Sequence, residues 1–507
     1  MTDSENMRLK IDTGKDILHK VHKAAQEFGV EVYAVGGFVR DLYLGKEGTD
    51  VDFVVLGDAV AFARFFRKKF RSGKVIAYPR FGTAMLHYTI GGKRAVPAGA
   101  GANKTWKLEF VSARSEHYDE DSRKPHVERA DLQSDLSRRD FTINCLAMHI
   151  SPEQFGEIVD PFNGIADIEK KRIRTPLDPV ITFNDDPLRI LRAIRFAATL
   201  KFTIEERTYQ AILDTRERLS IISRERITEE FRKMLLAETP SYGLNLMKET
   251  GVSAIIFPEL DQLAGVEQRK EFHHKDVFYH TLQVVDNISR KTEKFELRLA
   301  ALLHDIAKPQ TKRFIEGVGW TFHGHEELGA RMVERIGRRM RLPMSTIKYV
   351  QKLVRLHLRP IQLVDESVTD SAIRRLMVEA GEDIDDLMTL CRADITSKNP
   401  RKVKQYLANF DKVEARIREV EEKDKLRQFK PAITGNDIMR LMNIPPGPLV
   451  GKIKQAVVDA ILDGKISNEQ EACLDYLMSI KDQFETAAAE QQEDGASPPA
   501  TESSPPE

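Results

Sequence analysis

The sequence predicts a small α/β head, an extended all-α body and a polar tail. Three observations carry that expectation. Short apolar, β-branched runs alternate with glycine-bearing turns in the region before Phe141. From about Phe141 onward apolar residues recur at helical spacing, through 185–250, 277–310, 325–358 and 370–420. The chain then closes on "AAAEQQEDGASPPATESSPPE", an acidic, Pro/Ser-rich stretch unable to bury a core and expected to be disordered.

The head elements follow in order. Residues 12–28 read as an amphipathic helix, "VYAVGG" as a buried strand ending in Gly36 and Gly37, and "FVRDLYLG" as a short helix stopped by Gly45. "VDFVVLG" is a second strand, "AVAFARFFRKKF" a helix, and "TAMLHYTI" and "WKLEFVSAR" two further strands. Between those last two, the Gly/Ala-rich segment 91–104 reads as a hairpin loop. The charged stretch Arg114–Leu136 has no clear periodicity and reads as an irregular loop.

Composition narrows the class. At 507 residues the chain is long enough for about three or four domains. Hydrophobic residues at 41% and charged residues at 31% give an ordinary globular balance. Nothing approaches the ~20 apolar residues of a membrane span, and "MTDSENMRLK" lacks a signal peptide's apolar core. Cys145, Cys391 and Cys473 are scattered and odd in number, which favours a reducing, cytoplasmic setting over a disulfide framework. Lys plus Arg (78) balances Asp plus Glu (78), so any affinity for a polyanion must come from local clusters. One is "RFFRKKFR" (Arg64–Arg71), which alone reads as a solvated basic helix face.

The stretch "GTDVDFVV" points to chemistry. Asp50 and Asp52 lie two apart on a strand and so share one face, with Val51 and Phe53 on the other. Two ionised carboxylates so placed repel unless something positive lies between them, and a divalent cation is such a group. Two solvated aspartates at a strand end are the alternative reading. Glu109, in a strand of suitable pattern, offers a third carboxylate. Gly36 and Gly37 allow backbone amides to approach a phosphate, and Arg40 lies one turn into the helix that follows.

Further along, "DDPLRILRAIRF" begins a helix with Asp186 as N-cap and Pro187 in the first turn. Arg189, Arg192 and Arg195 then cover an arc of about 120°, opposite an apolar face of Leu188, Leu191 and Ile194. A salt-bridged surface helix is one reading and a cationic ligand face the other. In the body, His280, the pair His304–Asp305 on an apolar helix, and Asp394 form a set of imidazole and carboxylate donors suited to a first-row divalent metal. His323, His325, Glu326 and His357 offer ligands for a second ion. In this order the set resembles the HD metal-dependent phosphohydrolase superfamily, which implies Mn²⁺ or Ni²⁺. "ITGNDIMRLMNIPPGPLVGKIKQAV" reads as helix, Pro/Gly turn, helix, with Lys452 and Lys454 as candidate contacts to an RNA backbone.

Taken in order, "VGGFVRD", "TDVDFVV", "LEFVSAR", "LSRRDFTINCLAM", "IVDPFNGIADIEKKRIRT", "DDPLRILRAIRFAATL" and "RERITEEFRKML" resemble the class II tRNA nucleotidyltransferase and bacterial poly(A) polymerase family. The resemblance is dense over residues 30–260 and looser beyond. It implies a nucleotidyltransferase head with a palm-like mixed sheet at 1–160 and a helical neck at 161–262. An HD-type metal domain would follow at 263–400, then a C-terminal helical region at 401–485 and the tail at 486–507.

The resemblance also implies roles. Asp50, Asp52 and Glu109 would be catalytic, the aspartates holding Mg²⁺. Gly36, Gly37 and Arg40 would meet the triphosphate, and Arg139, Asp140 and Asn144 the nucleotide and ribose. Asp186 and Arg189 would read the Watson–Crick edge of CTP or ATP, since a carboxylate accepts from the exocyclic amino group that both bases carry. Arg192 and Arg195 would lie near phosphate or ribose. Two positions depart from the family: Asp185 replaces its usual glutamate, and Asn163 replaces a second glycine.

The implied activity is addition or repair of the tRNA 3′-terminal CCA from CTP and ATP, with release of pyrophosphate. Relatives that add only CC lack a loop in the region of 114–136, and its presence here favours the full reaction. A poly(A) polymerase, an enzyme adding only A, and an HD phosphohydrolase whose head merely holds RNA are the alternatives. An acidic tail and a complete HD set weigh against the first, and an intact D-x-D, "RRDFTIN" and "DDPLR" against the last.

Overall fold

The computed structural model describes residues 8–9, 15–71, 73–89, 105–117, 126–266, 276–364, 369–397, 399–424 and 429–484. The chain divides into two compact units: Met1–Phe295 with Gly337–Leu342, and Glu296–Ile336 with Pro343–Glu507. The four boundaries expected from the sequence are finer than this division. Loop 91–104 and the tail 486–507 lie outside the described residues.

The first unit opens with α1 (Lys15–Phe28), β1 (Val32–Val35), α2 (Gly37–Tyr43), β2 (Asp50–Val55) and α3 (Ala59–Phe70). β3 (Ile76–Tyr78), β4 (Thr83–Thr89) and β5 (Thr105–Ser112) follow. A seven-stranded sheet runs β3-β4-β5-β2-β1-β8-β9, where β8 is Ala147–His149 and β9 is Ile158–Val159. β2 and β5 are parallel and the remaining pairs antiparallel, so the sheet is mixed as expected.

Alternation along the strands sorts the two faces. Val51, Phe53, Leu108 and Phe110 are buried. Phe53 stacks on Phe110 with centroids 5.2 Å apart, and Phe62 and Phe66 of α3 close on Phe110 at 5.1 and 5.9 Å. These aromatic contacts pin α3 to one face of the sheet, worth about 1 kcal/mol per pair beyond the area buried. Asp50, Asp52 and Glu109 fall on the other face.

The described residues of 114–136 hold more regular structure than the sequence suggests. Arg114–His117 (β6) pairs antiparallel with His126–Arg129 (β7), and α4 (Leu132–Ser137) follows, capped by Asp131. Alternation there is hidden among charged residues, because this two-stranded pair need not bury a hydrophobic face.

The "DPFNGIAD" turn is tightly built. Asp160 accepts from the amides of Gly164 and Ile165, and buried Asp167 accepts from Thr142, Arg172 and Arg174. Asn163 sits at φ 56°, a left-handed conformation that asparagine adopts more readily than most non-glycine residues. Gly164 begins α5 (Gly164–Glu169), and a Cβ there would lie 2.2 Å from the Thr142 carbonyl oxygen.

The neck helices α6 (Pro179–Asp185) and α7 (Leu188–Leu200) come next, then Glu206–Thr215, Arg224–Leu235, Pro240–Glu249 and Val277–Ser289. Leu188, Leu191 and Ile194 are buried, as their spacing requires.

The second unit is helical apart from a hairpin, Arg313–Ile315 with Gly319–Thr321, that helical periodicity gave no sign of. Its main helices include His325–Arg339, Met344–Leu356, Asp370–Ala380, Ile384–Ala393 and Pro400–Asp424. Helices Gly435–Met442 and Pro448–Leu462 flank the Pro/Gly turn as expected, and with Gln470–Ser479 they bury Ile438, Ile453, Val457 and Leu477. Thr434 and Asp437 form a reciprocal cap at the start of the first. No helix among the described residues is long and apolar enough to cross a membrane.

Candidate functional site

Asp52 sits at the centre of the sheet, opposite Val35 of β1 on one side and Glu109 of β5 on the other. The parallel register thus sets Asp52 beside Glu109, and Asp50 beside Lys107. Lys107 Nζ donates to Asp50 Oδ2 at 2.8 Å. Burial raises the Asp52 carboxyl above the usual range, Arg139 opposes that, and Asp50 adds to it. Burial and then Asp52 raise Glu109 in the same direction. Both shifts come first from burial, which penalises the charged carboxylate.

Among the described residues these three carboxylates do not form a set of ligand atoms all within 4.8 Å. Asp50 is turned to Lys107, and an ion would compete with that lysine for it. The donors are all carboxylate oxygens on rigid strands, the set that Mg²⁺ prefers, so the residues fit the ion.

Gly36 lies between β1 and α2 with φ 71°, and a Cβ there would sit 2.8 Å from Arg139 Nη1. The positive φ is what calls for glycine there. Gly37 opens α2. Arg40 is buried, donating to Asn144 Oδ1 at 2.6 Å and to Asp41. Asn144 Nδ2 donates to Asp140 Oδ1 at 2.9 Å. Asp140 Oδ2 in turn accepts from Arg192 Nε at 2.8 Å and Nη2 at 2.5 Å. Burial alone would raise the Asp140 carboxyl, but Arg192 and Asn144 hold it well below the carboxylate range. Arg195 Nε donates to buried Glu230 at 2.5 Å, and Arg192 Nη1 lies 3.8 Å from the same carboxylate.

The residues expected to touch phosphate or ribose are therefore joined through one network, from Arg40 through Asn144, Asp140 and Arg192 to Glu230 and Arg195. The salt-bridged reading of the α7 arginines and the ligand reading meet here: Arg192 and Arg195 are ion-paired inward. Arg189 donates to the carbonyls of Arg138 at 2.6 Å and Thr182 at 3.3 Å. Asp186 Oδ1 accepts from the Leu188 amide at 3.2 Å, and Oδ2 from Arg226 at 2.9 Å. Reading a base would require these two side chains to exchange protein partners for nucleotide ones.

Sequence reasoning missed Asp135, Glu230 and Lys107. Asp135 is fully buried and binds both Arg138 and Arg139. Its spacing of three and four before those arginines was a usable signal. Glu230 carried none, because its partners are far away in sequence.

In the second unit, His304 and Asp305 are buried, with His304 Nε2 3.1 Å from Asp305 Oδ2 and 3.5 Å from Asp394 Oδ1. His325 and His357 converge on Asp305 Oδ1 at 3.3 and 3.9 Å. Asp305, His325 and His357 form a set of ligand atoms within 4.8 Å. All three imidazoles place Nδ1 within 2.6–2.8 Å of a backbone carbonyl, of Ala301, Phe322 and Val354. A proton on Nδ1 of His325 and of His357 leaves their Nε2 lone pairs facing Asp305, the tautomer that metal ligation needs. Against burial, Asp305 and Asp394 push the His304 imidazole up to about 10, so a metal there would displace a proton. His325 Nε2 and His357 Nε2 then lie 3.3 Å apart, a meeting of lone pairs that a cation would relieve. The residues fit a transition metal. His323 is exposed and outside this set, and His280 is buried on helix Val277–Ser289 of the first unit. A 270 Å³ cavity adjoins His357 and Asp394, lined also by Tyr406, Asn409, Phe410 and Thr396.

A mixed sheet with paired carboxylates on its central strands, a glycine turn beside them and an arginine-bearing helical neck define a nucleotidyltransferase. Residues 32–174 match the poly(A) polymerase head domain, 201–263 the probable RNA- and SrmB-binding site of polymerase A, and 277–399 the HD domain. The chain is 29% identical over 453 residues to the CC-adding tRNA nucleotidyltransferase of Thermus thermophilus, covering 87% of this chain and 92% of that protein. It is 31% identical over 354 residues to the A-adding tRNA nucleotidyltransferase of Deinococcus radiodurans, covering 67% and 78%. The Bacillus stearothermophilus CCA-adding enzyme in complex with CTP shares the fold, with TM-score 0.58, 23% identity and coverage of 94% and 100%. The chain belongs to the tRNA nucleotidyltransferase and poly(A) polymerase family of enzymes.

Proposed function

We propose that this enzyme completes the 3′ end of tRNA, adding C, C and A from CTP and ATP. The observation that carries the reading is the register pair Asp52–Glu109, set in the same head as the network that runs from Arg40 to the arginines of α7. Asp50, Asp52 and Glu109 would hold Mg²⁺, which supplies charge for the attacking hydroxyl and for the departing pyrophosphate. The RNA 3′-hydroxyl forms the new bond to the α-phosphorus, the bond to pyrophosphate breaks, and the hydroxyl's proton is lost to a carboxylate of the set.

Gly36 and Gly37 bring backbone amides to the triphosphate. Arg40, Arg139, Asp140 and Asn144 hold nucleotide and ribose, with Arg192 and Arg195 tying that group to the neck. Asp186 accepts from the amino group of cytosine or adenine, and Arg189 donates to a ring acceptor. Guanine and uracil leave the carboxylate without a donor at that place, which costs selectivity energy in the way an unpaired buried polar group does. Asp185 supports its neighbours and does not read the base itself.

The relatives divide among CC, A and CCA addition. The strand pair β6–β7 and helix α4, within 114–136, support the full sequence over CC alone. The work is expected in the cytoplasm, which suits three free, buried cysteines. Incorporation into tRNA transcripts ending at the discriminator base, at C and at CC tests the reading. C, C and A added in order and then stopping supports it. A long adenosine tail, or A added only after CC, replaces it with one of the alternatives.

A second reading rests on the inward-facing imidazoles and the adjoining 270 Å³ cavity. His304, Asp305, His325, His357 and Asp394 would hold Mn²⁺ or Ni²⁺ and give a secondary phosphohydrolase activity. Purified protein without metal, and without phosphodiesterase activity in added Mn²⁺ or Ni²⁺, removes it.

A further inference from the structure

The basic cluster Arg64–Arg71 takes no part in the transfer site, yet the fold gives it a definite setting. A cavity of 410 Å³ opens at the end of β5, lined by Asp58, Arg64, Arg80, Phe81, Ser112 and Arg114 among others. It lies on the α3 side of the sheet, since Ser112, two residues on from Phe110, shares its face and its Oγ accepts from the Ala59 amide at 3.0 Å. Glu109 faces the opposite side, three residues or about 10 Å back along the strand. The cavity is thus separate from the carboxylate site.

Three guanidinium groups reach it from three different elements: α3, the turn Pro79–Phe81, and β6. The lining holds one carboxylate, Asp58, whose Oδ1 is engaged in capping α3 at the Ala61 amide, 2.9 Å away. Arg114 donates to the Phe81 carbonyl. Among the described residues Arg64 and Arg80 have no protein hydrogen-bond or ion-pair partner. In a chain of zero formal net charge, such a surplus of cation is a local arrangement.

Beside these cations stands an aromatic group left open to solvent. Phe81 is 47% exposed and Tyr78, on edge strand β3, 49%. The turn that carries Phe81 is fixed at several points: the Gly82 amide donates to Pro79, the Ser112 amide to Gly82, and the Thr83 hydroxyl to Phe81. The ring is therefore presented by rigid backbone. From the cavity a stripe of exposed Arg64, Arg67, Lys68 and Arg71 continues along one face of α3, over about 10 Å. Lys69 is turned away and pairs with Glu27.

Open aromatic rings interleaved with unpaired arginines are the chemistry that holds single-stranded nucleic acid, by base stacking and phosphate pairing. The geometry points to a second RNA site on this head. An unpaired nucleotide stacks on Phe81, its phosphates lie against Arg64, Arg80 and Arg114, and the flanking backbone follows α3. The site is independent of the transfer chemistry and serves to retain RNA.

The test uses the full chain and a fluorescein-labelled single-stranded RNA of about 12 nucleotides, blocked at its 3′ end, with affinity read by anisotropy across a salt series. An Arg64→Gln/Arg80→Gln double variant is expected to bind on the order of tenfold more weakly, with the salt slope shallower by about 1.4, two phosphates' worth. Phe81→Ala is expected to lose on the order of tenfold with its slope unchanged. Transfer to saturating tRNA should be unaltered in both. Unchanged affinity and slope in the arginine variant would overturn the proposal. So would arginine-dependent binding that ignores Phe81 and is competed by inorganic tripolyphosphate as effectively as by RNA, since that describes a general anion patch.

Discussion

Asp140 and Arg192 meet in a two-point ion pair, with Asp140 Oδ2 2.8 Å from Arg192 Nε and 2.5 Å from Nη2. The pair joins the "RRDFTIN" turn of the head to the neck helix α7, and through Asn144 it reaches Arg40 behind the glycine turn. The sheet of the head and the neck helix are thus linked through one buried carboxylate.

Removing that carboxylate should be costly. Asp140→Ala leaves a partly buried arginine without its main partner, and we expect a loss of about 2 kcal/mol, read as a lower midpoint in thermal or urea unfolding. The pH dependence has a defined sign. The folded-state pKa of Asp140 is depressed, so its contribution is full above the ordinary carboxylate pKa of about 4 and is lost as pH falls below it. Asp140→Ala should therefore flatten the acid limb of the stability profile.

Asp52 and Glu109 should behave in the opposite way. Their carboxyls are raised, so in the absence of metal their ionisation destabilises the fold as pH climbs through the raised values. Mg²⁺ held there would bind the ionised forms. Its stabilising effect should accordingly be larger at about pH 8 than at about pH 5, and should shrink in Asp52→Asn. Differential scanning fluorimetry with and without Mg²⁺ measures this directly.

Two adjacent positions in one turn should respond differently. Gly164→Ala drives a Cβ to 2.2 Å from a backbone oxygen that cannot step aside, and a loss of about 2 kcal/mol or more is expected. Asn163→Gly, at φ 56°, should change stability by only a few tenths of a kcal/mol. Chemical denaturation of the two variants side by side separates them.

Metal analysis tests the second unit. The wild-type chain should purify with a transition metal, and a His325→Ala/His357→Ala double variant should lose metal in proportion, measured by mass spectrometry of the protein after gel filtration. Nucleotide transfer by the variant is expected to be unaffected.

Much of this was legible in the sequence, for identifiable reasons. The strands and helices of the head were visible because β-branched runs, glycines and helical spacing agreed locally at each element. Asp50, Asp52 and Glu109 could be paired because strand alternation fixes which residues share a face. Two features were not legible. The β6–β7 pair carries few apolar residues, so its alternation had nothing to mark it. Glu230, which ties down Arg192 and Arg195, is a partner made by helix packing across the chain, and no local pattern encodes such a contact.

The most direct measurement is kcat/KM for CTP, ATP, UTP and GTP, each alone, on matched tRNA substrates with the wild-type enzyme and Arg189→Ala. If Asp186 and Arg189 read the base, the wild type strongly prefers CTP and ATP, and Arg189→Ala narrows that preference by on the order of tenfold or more. An Arg189→Ala enzyme that is slower yet discriminates among the four nucleotides as sharply as the wild type would contradict the account.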